Sequence, residues 1–319
     1  MNWLVDRHHA GLFHSIQLLG DRLGATIYTP TGHAWWDDSI WQFGLGYGDD
    51  RLAQQFLMPE LTETYDPEFP DRLIRGVTLE QARTMDWAVV MAAVQDNQRG
   101  FARFAREVGA KYAYHVGNTN QEIAWELEPA VINASEMYGG VKVGEEFDSD
   151  GLFGFTPPTG DRLVSSFVNC MPQIACYPLL TQAQASLDIK VYGINGPDGN
   201  LKPIGAIAGA MAASDWGWHD KEHGDGYGHI LHYWASIGRP LIGHGSHYKP
   251  KMGNVFWRDL ETCIDLDKHP LEQAIEIVKS IAPADHAAMC RNIRDIFERE
   301  TDWQADADRV AGMLGLVPV

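Results

Sequence analysis

Between Trp216 and His247 the chain concentrates side chains that bind anions and move protons, among them Lys221, Asp225, His229 and His244. Asp225 is followed by Gly226-Tyr227-Gly228, two glycines one residue apart, and then by the helix-like run His229–Ile237. Glycine lets a backbone approach a ligand closely, and the open N–H groups of a helix start attract anions, phosphate above all. The spacing therefore predicts a diphosphate cradle made of the amides of Tyr227 to His229. Lys221 lies four residues before Asp225 and offers a compact positive charge to the same anion. Where a bound phosphate gains charge during a reaction, such donors favour the transition state over the bound ground state. A solvated surface lysine is the plainer reading of Lys221, and a tight strand-to-helix turn that of the glycines.

The segment continues through Gly238-Arg239-Pro240 into Leu241-Ile242, a turn and the start of a buried strand. As a whole it resembles, without a gap, the donor-binding motif of the retaining GT-B glycosyltransferases, the group 1 type. That motif runs acidic-Gly-aromatic-Gly, a helix, then small-x-Gly-x-Pro-Val/Ile-Ile. The resemblance implies that Asp225 lies near the sugar hydroxyls and that an acid eight residues later clamps the ribose. Tyr233 stands at that second position. A phenol makes a single hydrogen bond and cannot present the paired acceptors of a carboxylate, so ribose is not held by the usual route. His229 and His244 are expected to contact phosphate, sugar or base, with the remaining histidines of the region solvated.

Two spacings mimic metal sites. His219 and His223 are four residues apart with Glu222 between them, but a zinc-protease helix needs Glu directly after the first His, where Asp220 stands. Asp148-Ser149-Asp150 has the acid-x-acid form of divalent-ion binders, yet it falls in a turn-rich junction and reads as a polar linker. No dedicated metal and no cofactor beyond the nucleotide-sugar co-substrate is expected.

In the N-terminal half, Arg7-His8-His9-Ala10-Gly11 follows the first strand and Asp96-Asn97 follows the longest apolar run. Ligands of open α/β sheets bind at the carboxyl ends of parallel strands. His9 (or its neighbour His8) and Asp96 are thus candidates to take the proton of an acceptor hydroxyl. The alternative for Asp96 is helix N-capping, and for His9 loop packing. Trp35, Trp36 and Trp41 read as filling for a loop-rich core, or as an aromatic platform for a sugar acceptor.

The elements that must position these groups follow a strand–helix rhythm. Trp3 to Asp6 is a strand; Leu12, Ile16, Leu19 and Leu23 have helical spacing and stop at Gly24; Ala25 to Tyr28 is the next strand. Such order predicts parallel pairing through right-handed crossovers. Trp87–Val94 reads as a strand buried on both faces, Phe101 to Val108 as a helix closed by Gly109, and 112–116 and 130–133 as further strands. Gly and Pro crowd residues 139–162, where a boundary is placed. The rhythm then restarts with strands at 163–169 and 189–192, helices at 174–187 and 204–213, a strand at 241–242 and a last one within 261–266. Helices follow at 270–281, 284–299 and 303–314.

The expected fold class is α/β, two Rossmann-like doubly wound domains facing a central cleft. The domains are 1–160 on the acceptor side, 161–300 on the nucleotide-sugar donor side, and a C-terminal helix in 301–319 that packs back on the first. With 319 residues, 45% hydrophobic and 21% charged, the chain is long enough for two cores. No apolar run reaches bilayer length, and Met1–Arg7 does not read as a secretion signal. A net charge of −18 disfavours non-specific attraction to nucleic acid or anionic lipid. Four scattered cysteines, Cys170, Cys176, Cys263 and Cys290, read as buried thiols, consistent with a cytoplasmic protein. The functional expectation is transfer of a sugar from a nucleotide-diphosphate-sugar to a hydroxyl-bearing acceptor without an essential metal. That acceptor is a glycan, a small molecule or, less in keeping with the charge, a modified nucleic acid. A nucleotide-sugar epimerase of the same fold and a non-catalytic nucleotide or sugar binder are the alternatives.

Overall fold

The structure is a computed structural model and describes residues 1–7, 9–31, 35, 63–167, 177–194 and 196–316. His8, Trp36, Trp41, Cys170 and Cys176 lie outside the described residues. Two compact units form: Met1–Ala134, Tyr138–Phe147 and Trp303–Val319 in one, Ser135–Met137 and Asp148–Asp302 in the other.

The first unit begins with β1 (Asn2–Val5), α1 (Ala10–Arg22) and β2 (Thr26–Pro30). It continues through β3 (Glu63–Tyr65), β4 (Leu73–Val77), the one-turn α2 (Leu79–Ala82), β5 (Val89–Ala92) and α3 (Gln98–Val108). β6 (Lys111–Val116), β7 (Ala130–Asn133) and β8 (Val141–Lys142) complete its sheet. The order is β3-β4-β2-β1-β5-β6-β7-β8, parallel except for the β3–β4 pair.

Strand side chains alternate between faces, and both faces here are covered. Trp3, Val5, Val89 and Met91 pack with Phe13, Ile16 and Leu19 of α1, while Leu4, Val90 and Ala92 pack with Phe101, Phe104 and Ala105 of α3. Gly109, in the left-handed region at φ 71°, ends α3. Trp35 is fully buried in the second of these clusters and donates from Nε1 to the Val77 carbonyl at 2.9 Å, so it fills core.

In the second unit come β9 (Val164–Phe167), α4 (Tyr177–Ala183), β10 (Ile189–Tyr192) and α5 (Ile204–Ala212). β11 (Trp216–Trp218), α6 (His229–Ile237), β12 (Leu241–Gly243) and β13 (Cys263–Asp265) follow. α7 (Leu271–Ser280) and α8 (Pro283–Glu300) end it, and α9 (Trp303–Leu314) adds Ala307, Val310, Ala311 and Leu314 to the core of the first unit. The five strands run parallel in the order β10-β9-β11-β12-β13.

β3, β4, α2 and β8 are additions to the sequence expectation, and one further difference bears on the site. Trp216-Gly217-Trp218, to which the sequence assigned no element, is a strand inside the sheet. Its signal is short, and the glycine at its centre hides it. Gly217 is there for contact: a Cβ would lie 2.6 Å from the Trp234 indole, so α6 sits directly against β11. Asp148 acts locally, accepting from the amides of Gly151 (2.8 Å) and Leu152 (2.9 Å).

The conspicuous Arg239 is also structural. Fully buried, its guanidinium donates to the carbonyls of Ser214, Ala212 and Thr156 and to Thr156 Oγ1, tying the end of α5 and the 156–157 segment to the β12 entrance. The two remaining described cysteines, Cys263 and Cys290, are buried thiols, and burial raises both, Cys290 to about 11.

Candidate functional site

The register Gly217↔Leu241, Trp218↔Ile242 and Gly243↔Asp265 brings the carboxyl ends of β11, β12 and β13 level. His219, His244 and Asp265 therefore stand side by side where a parallel sheet opens to ligands. The tips pack tightly: a Cβ on Gly243 would meet the His219 carbonyl at 2.4 Å.

From β11 the chain turns through Lys221 and Asp225 into α6. Asp225 is held at φ 48°, in the left-handed region that Asp and Asn tolerate better than most residues. Gly228 is the N-cap of α6 at φ 78°, where a side chain would be strained. Gly226 O accepts from the Met252 amide at 2.9 Å, which pins the loop between the glycines. The Leu231 and His232 amides donate to the Gly228 carbonyl at 3.0 and 3.2 Å, and the positive end of the helix dipole at the α6 entrance attracts anions.

Lys221 Nζ lies 2.7 Å from Asp225 Oδ1, and His219 Nε2 is 3.5 Å from Asp225 Oδ2. Burial alone would raise the Asp225 carboxyl, but Lys221 and then His219 outweigh it and hold the group well below the usual carboxylate range. A second lysine joins from below. Lys251 is buried, donates to the Lys221 carbonyl at 2.5 Å and lies 4.7 Å from the centre of the Tyr248 ring. Burial pulls its ammonium down to about 8 against the opposing charge of Asp225. The Tyr248 hydroxyl donates to the His219 carbonyl at 3.0 Å and accepts from the Lys221 amide at 3.1 Å, fixing both residues of the loop.

The aromatic and imidazole side chains of the motif are less open than the sequence suggests. Tyr227 is buried with its ring stacked on His232 at 3.6 Å. Tyr233 is buried and stacked on Phe153 at 3.9 Å. His229 is half-buried, its ring 5.5 Å from those of both Tyr227 and Tyr233. The expectation of solvated histidines holds for His223, which is 79% exposed, and fails for the others. His219 and His232 are buried, because one sits at a strand tip and the other on the core face of α6. His219 and His223 consequently do not converge, and their four-residue spacing is not on a helix.

His244 is drawn into a group that the sequence did not announce. The Asp220 carboxylate, fully buried, accepts from His244 Nδ1 at 2.7 Å, His247 Nδ1 at 2.8 Å and the His244 amide at 3.1 Å. The bond from Asp220 raises the His244 imidazole above its ordinary value in spite of burial. Asp265 accepts from the Gly245 amide at 3.0 Å, and Asp267 from the Ser246 amide (2.6 Å) and hydroxyl (2.9 Å). Asp220 and Lys251 carry no motif, and only the strand they follow or the fold that buries them reveals them.

In the first unit His9 and Asp96 do lie beyond the carboxyl ends of β1 and β5, and both are exposed. His9 is the N-cap residue of α1 through its carbonyl, which accepts from Phe13 at 2.9 Å, without a side-chain cap bond. Asp96 sits in a 3-10 turn, Gln95–Asn97, and the α3 N-cap is Asn97. The buried groups at these strand ends are Asp6 and Arg7. Asp6 Oδ2 accepts from the Val94 amide (3.0 Å) and Asn97 Nδ2 (3.1 Å), and Arg7 pairs with buried Asp66 at 3.0 Å.

No protein-family model and no curated protein sequence matches the chain. Solved structures do. HepE of Anabaena, in complex with UDP-glucose, aligns with a TM-score of 0.62 at 13% identity over 98% of this chain and 99% of its own. A glycosyltransferase from Rickettsia africae gives 0.63 at 11% identity over 98% of each chain. A trehalose-6-phosphate protein of E. coli, bound with UDP-2-fluoro glucose, gives 0.61 at 7% identity over the whole of both. The shared property is the fold, the GT-B architecture of two Rossmann-like α/β units.

Proposed function

We propose that this GT-B-fold protein is a glycosyltransferase that moves a sugar from a nucleoside-diphosphate-sugar to a hydroxyl-bearing acceptor. One observation carries the reading: at the carboxyl ends of a parallel sheet, a left-handed Asp225 paired with Lys221 leads through Gly228 into the first turn of α6. The complexes of HepE with UDP and UDP-glucose support a nucleotide-sugar as the donor class.

In this reading the amides of Tyr227, Gly228 and His229 hold the diphosphate, with Lys221 and Lys251 neutralising the charge that grows on it as the bond from the sugar carbon to the phosphate oxygen breaks. Asp225 accepts from the sugar hydroxyls, and His229 and His244 lie within the polar wall of the donor site. The acceptor oxygen bonds to the sugar carbon, and its proton passes to His9 or Asp96. Neutralisation by side chains and amides requires no metal for the transfer. Tyr233, packed on Phe153 where the motif carries an acid, favours one second reading, a nucleotide-sugar binder that does not turn over.

The test is product analysis by mass spectrometry after incubation with a panel of nucleotide-sugars and hydroxyl acceptors. Free nucleoside diphosphate together with a glycosylated acceptor is the expected result. An epimerised donor, or donor bound and left intact, replaces the transferase reading with one of its rivals. Failure to bind any donor removes it altogether.

A further inference from the structure

We propose that Asp220, His244 and His247 bind a divalent transition-metal ion, with Zn²⁺ as the best chemical fit, clamping the tip of β11 to the tip of β12. The three residues form the one group of His, Cys, Asp or Glu side chains among the described residues whose ligand atoms all lie within 4.8 Å of one another. One carboxylate oxygen and two imidazole nitrogens are the donors that Zn²⁺, Co²⁺ and related ions take, whereas Mg²⁺ and Ca²⁺ favour oxygen alone.

Distances fit the ion closely. Both histidine Nδ1 atoms stand 2.7 and 2.8 Å from the Asp220 oxygens. His244 Nδ1 faces Oδ2 and His247 Nδ1 faces Oδ1. Zinc bonds of about 2.0–2.2 Å, which place neighbouring tetrahedral ligands about 3.3 Å apart, call for a small adjustment of the rings around one of these oxygens. Coordination positions beyond these three are left to water.

The support around the trio is what a metal site needs. His244 and His247 are three residues apart across the 3-10 turn Gly245–Tyr248, and that period puts both rings on one side. The turn is pinned by two further carboxylates, Asp265 on the Gly245 amide and Asp267 on Ser246. Asp220 is wholly buried, and its own orientation is set by the His244 amide. A buried carboxylate is stable only when its charge is compensated, and the two imidazoles provide it with side-chain hydrogen-bond partners. A divalent ion supplies compensating charge. Through His244 the clamp borders the donor site of the proposed function, but metal binding does not require a donor, so the two readings can fail separately.

The test uses the full chain and metal alone, with no nucleotide. Protein freed of metal by a chelator is titrated with Zn²⁺ against a chromophoric competitor, and separately with Co²⁺ while the visible spectrum is recorded. The wild type should take up about one equivalent, show the intense visible bands of nitrogen- and oxygen-ligated Co²⁺, and melt at a higher temperature with Zn²⁺ present. His244→Gln and His247→Gln should each weaken Zn²⁺ about 100-fold or more. Circular dichroism reports whether each variant is folded. A wild type without stoichiometric uptake, or with a Co²⁺ spectrum equal to that of the free ion, overturns the proposal, and so does affinity unchanged in both folded variants. The wild-type spectrum decides the matter even where a variant fails to fold.

Discussion

Asp6 at the end of β1 and Asp225 beyond the end of β11 are acids at corresponding ends of two parallel sheets, and they are used in opposite ways. Asp6 is almost fully buried, and its acceptors are filled by the Val94 amide and Asn97. Arg7 beside it is closed off by Asp66. Asp225 keeps a quarter of its side chain exposed, is held ionised by Lys221 and His219, and occupies a left-handed conformation on a loop that opens to an anion-attracting helix start. A charge saturated by backbone builds the fold, whereas a charge balanced by another movable charge can be rearranged by a ligand. On the proposed function, donor chemistry belongs to the second unit, and the strand ends of the first carry the exposed His9 and Asp96.

The strongest way to break that contrast is Asp225→Asn, which keeps the shape and the left-handed tolerance but removes the charge. Transfer should fall by about 100-fold or more while the melting temperature moves little. Unchanged turnover would put Asp225 among the structural acids with Asp6.

Next in size is Asp6→Ala. It strips the partner from buried donors at Val94 and Asn97, at a cost of about 2–3 kcal/mol in urea unfolding. Nucleoside-diphosphate affinity, measured by calorimetry on the folded variant, should stay as in the wild type. A parallel loss of affinity would show that Asp6 is needed for donor binding as well as for folding.

Lys251 sharpens the comparison through pH. Its folded value of about 8 lies below the ordinary lysine range, so the ammonium present at pH 7 is lost as pH rises to 9. Affinity for a nucleoside diphosphate should therefore weaken about tenfold over that interval, the direction set by loss of a nearby positive charge. In Lys251→Met the curve should be flat across the same range, and an identical inflection in the variant would remove Lys251 from the site.

Asp96→Asn is expected to have the smallest effect on stability, within about 0.5 kcal/mol, because the residue is exposed in a turn. Any fall in turnover in that variant reads chemistry directly. A stability loss above that figure would show a supporting contact and move Asp96 to the side of Asp6.

How much was legible in the sequence depended on whether a signal was local. Apolar runs such as Val89–Ala92 and helix ends such as Gly109 mark themselves, and most elements of both sheets follow from them. The Asp225–Gly228 loop was legible for the same reason, since glycine at a left-handed turn is a backbone requirement written in one residue. β11 was missed because three residues with a central glycine carry too little pattern, although Gly217 is there for its contact with Trp234. The Asp220–His244–His247 trio was missed because it exists only through the β11–β12 pairing, which brings residues more than twenty positions apart into hydrogen-bond reach. Lys251 likewise shows nothing until the fold buries it beneath the Lys221 carbonyl.

The claim on which the rest depends is that backbone amides at the α6 entrance hold the nucleotide's diphosphate. Isothermal titration of UDP into the wild type and into Gly228→Val, with circular dichroism confirming that the variant is folded, measures it directly. Gly228 sits at φ 78°, a conformation that a β-branched residue resists, so the substitution should distort the entrance while leaving the sheet intact. The account predicts saturable binding to the wild type and none to the folded variant. UDP bound equally by both, or by neither when the other nucleoside diphosphates also fail to bind, would contradict it.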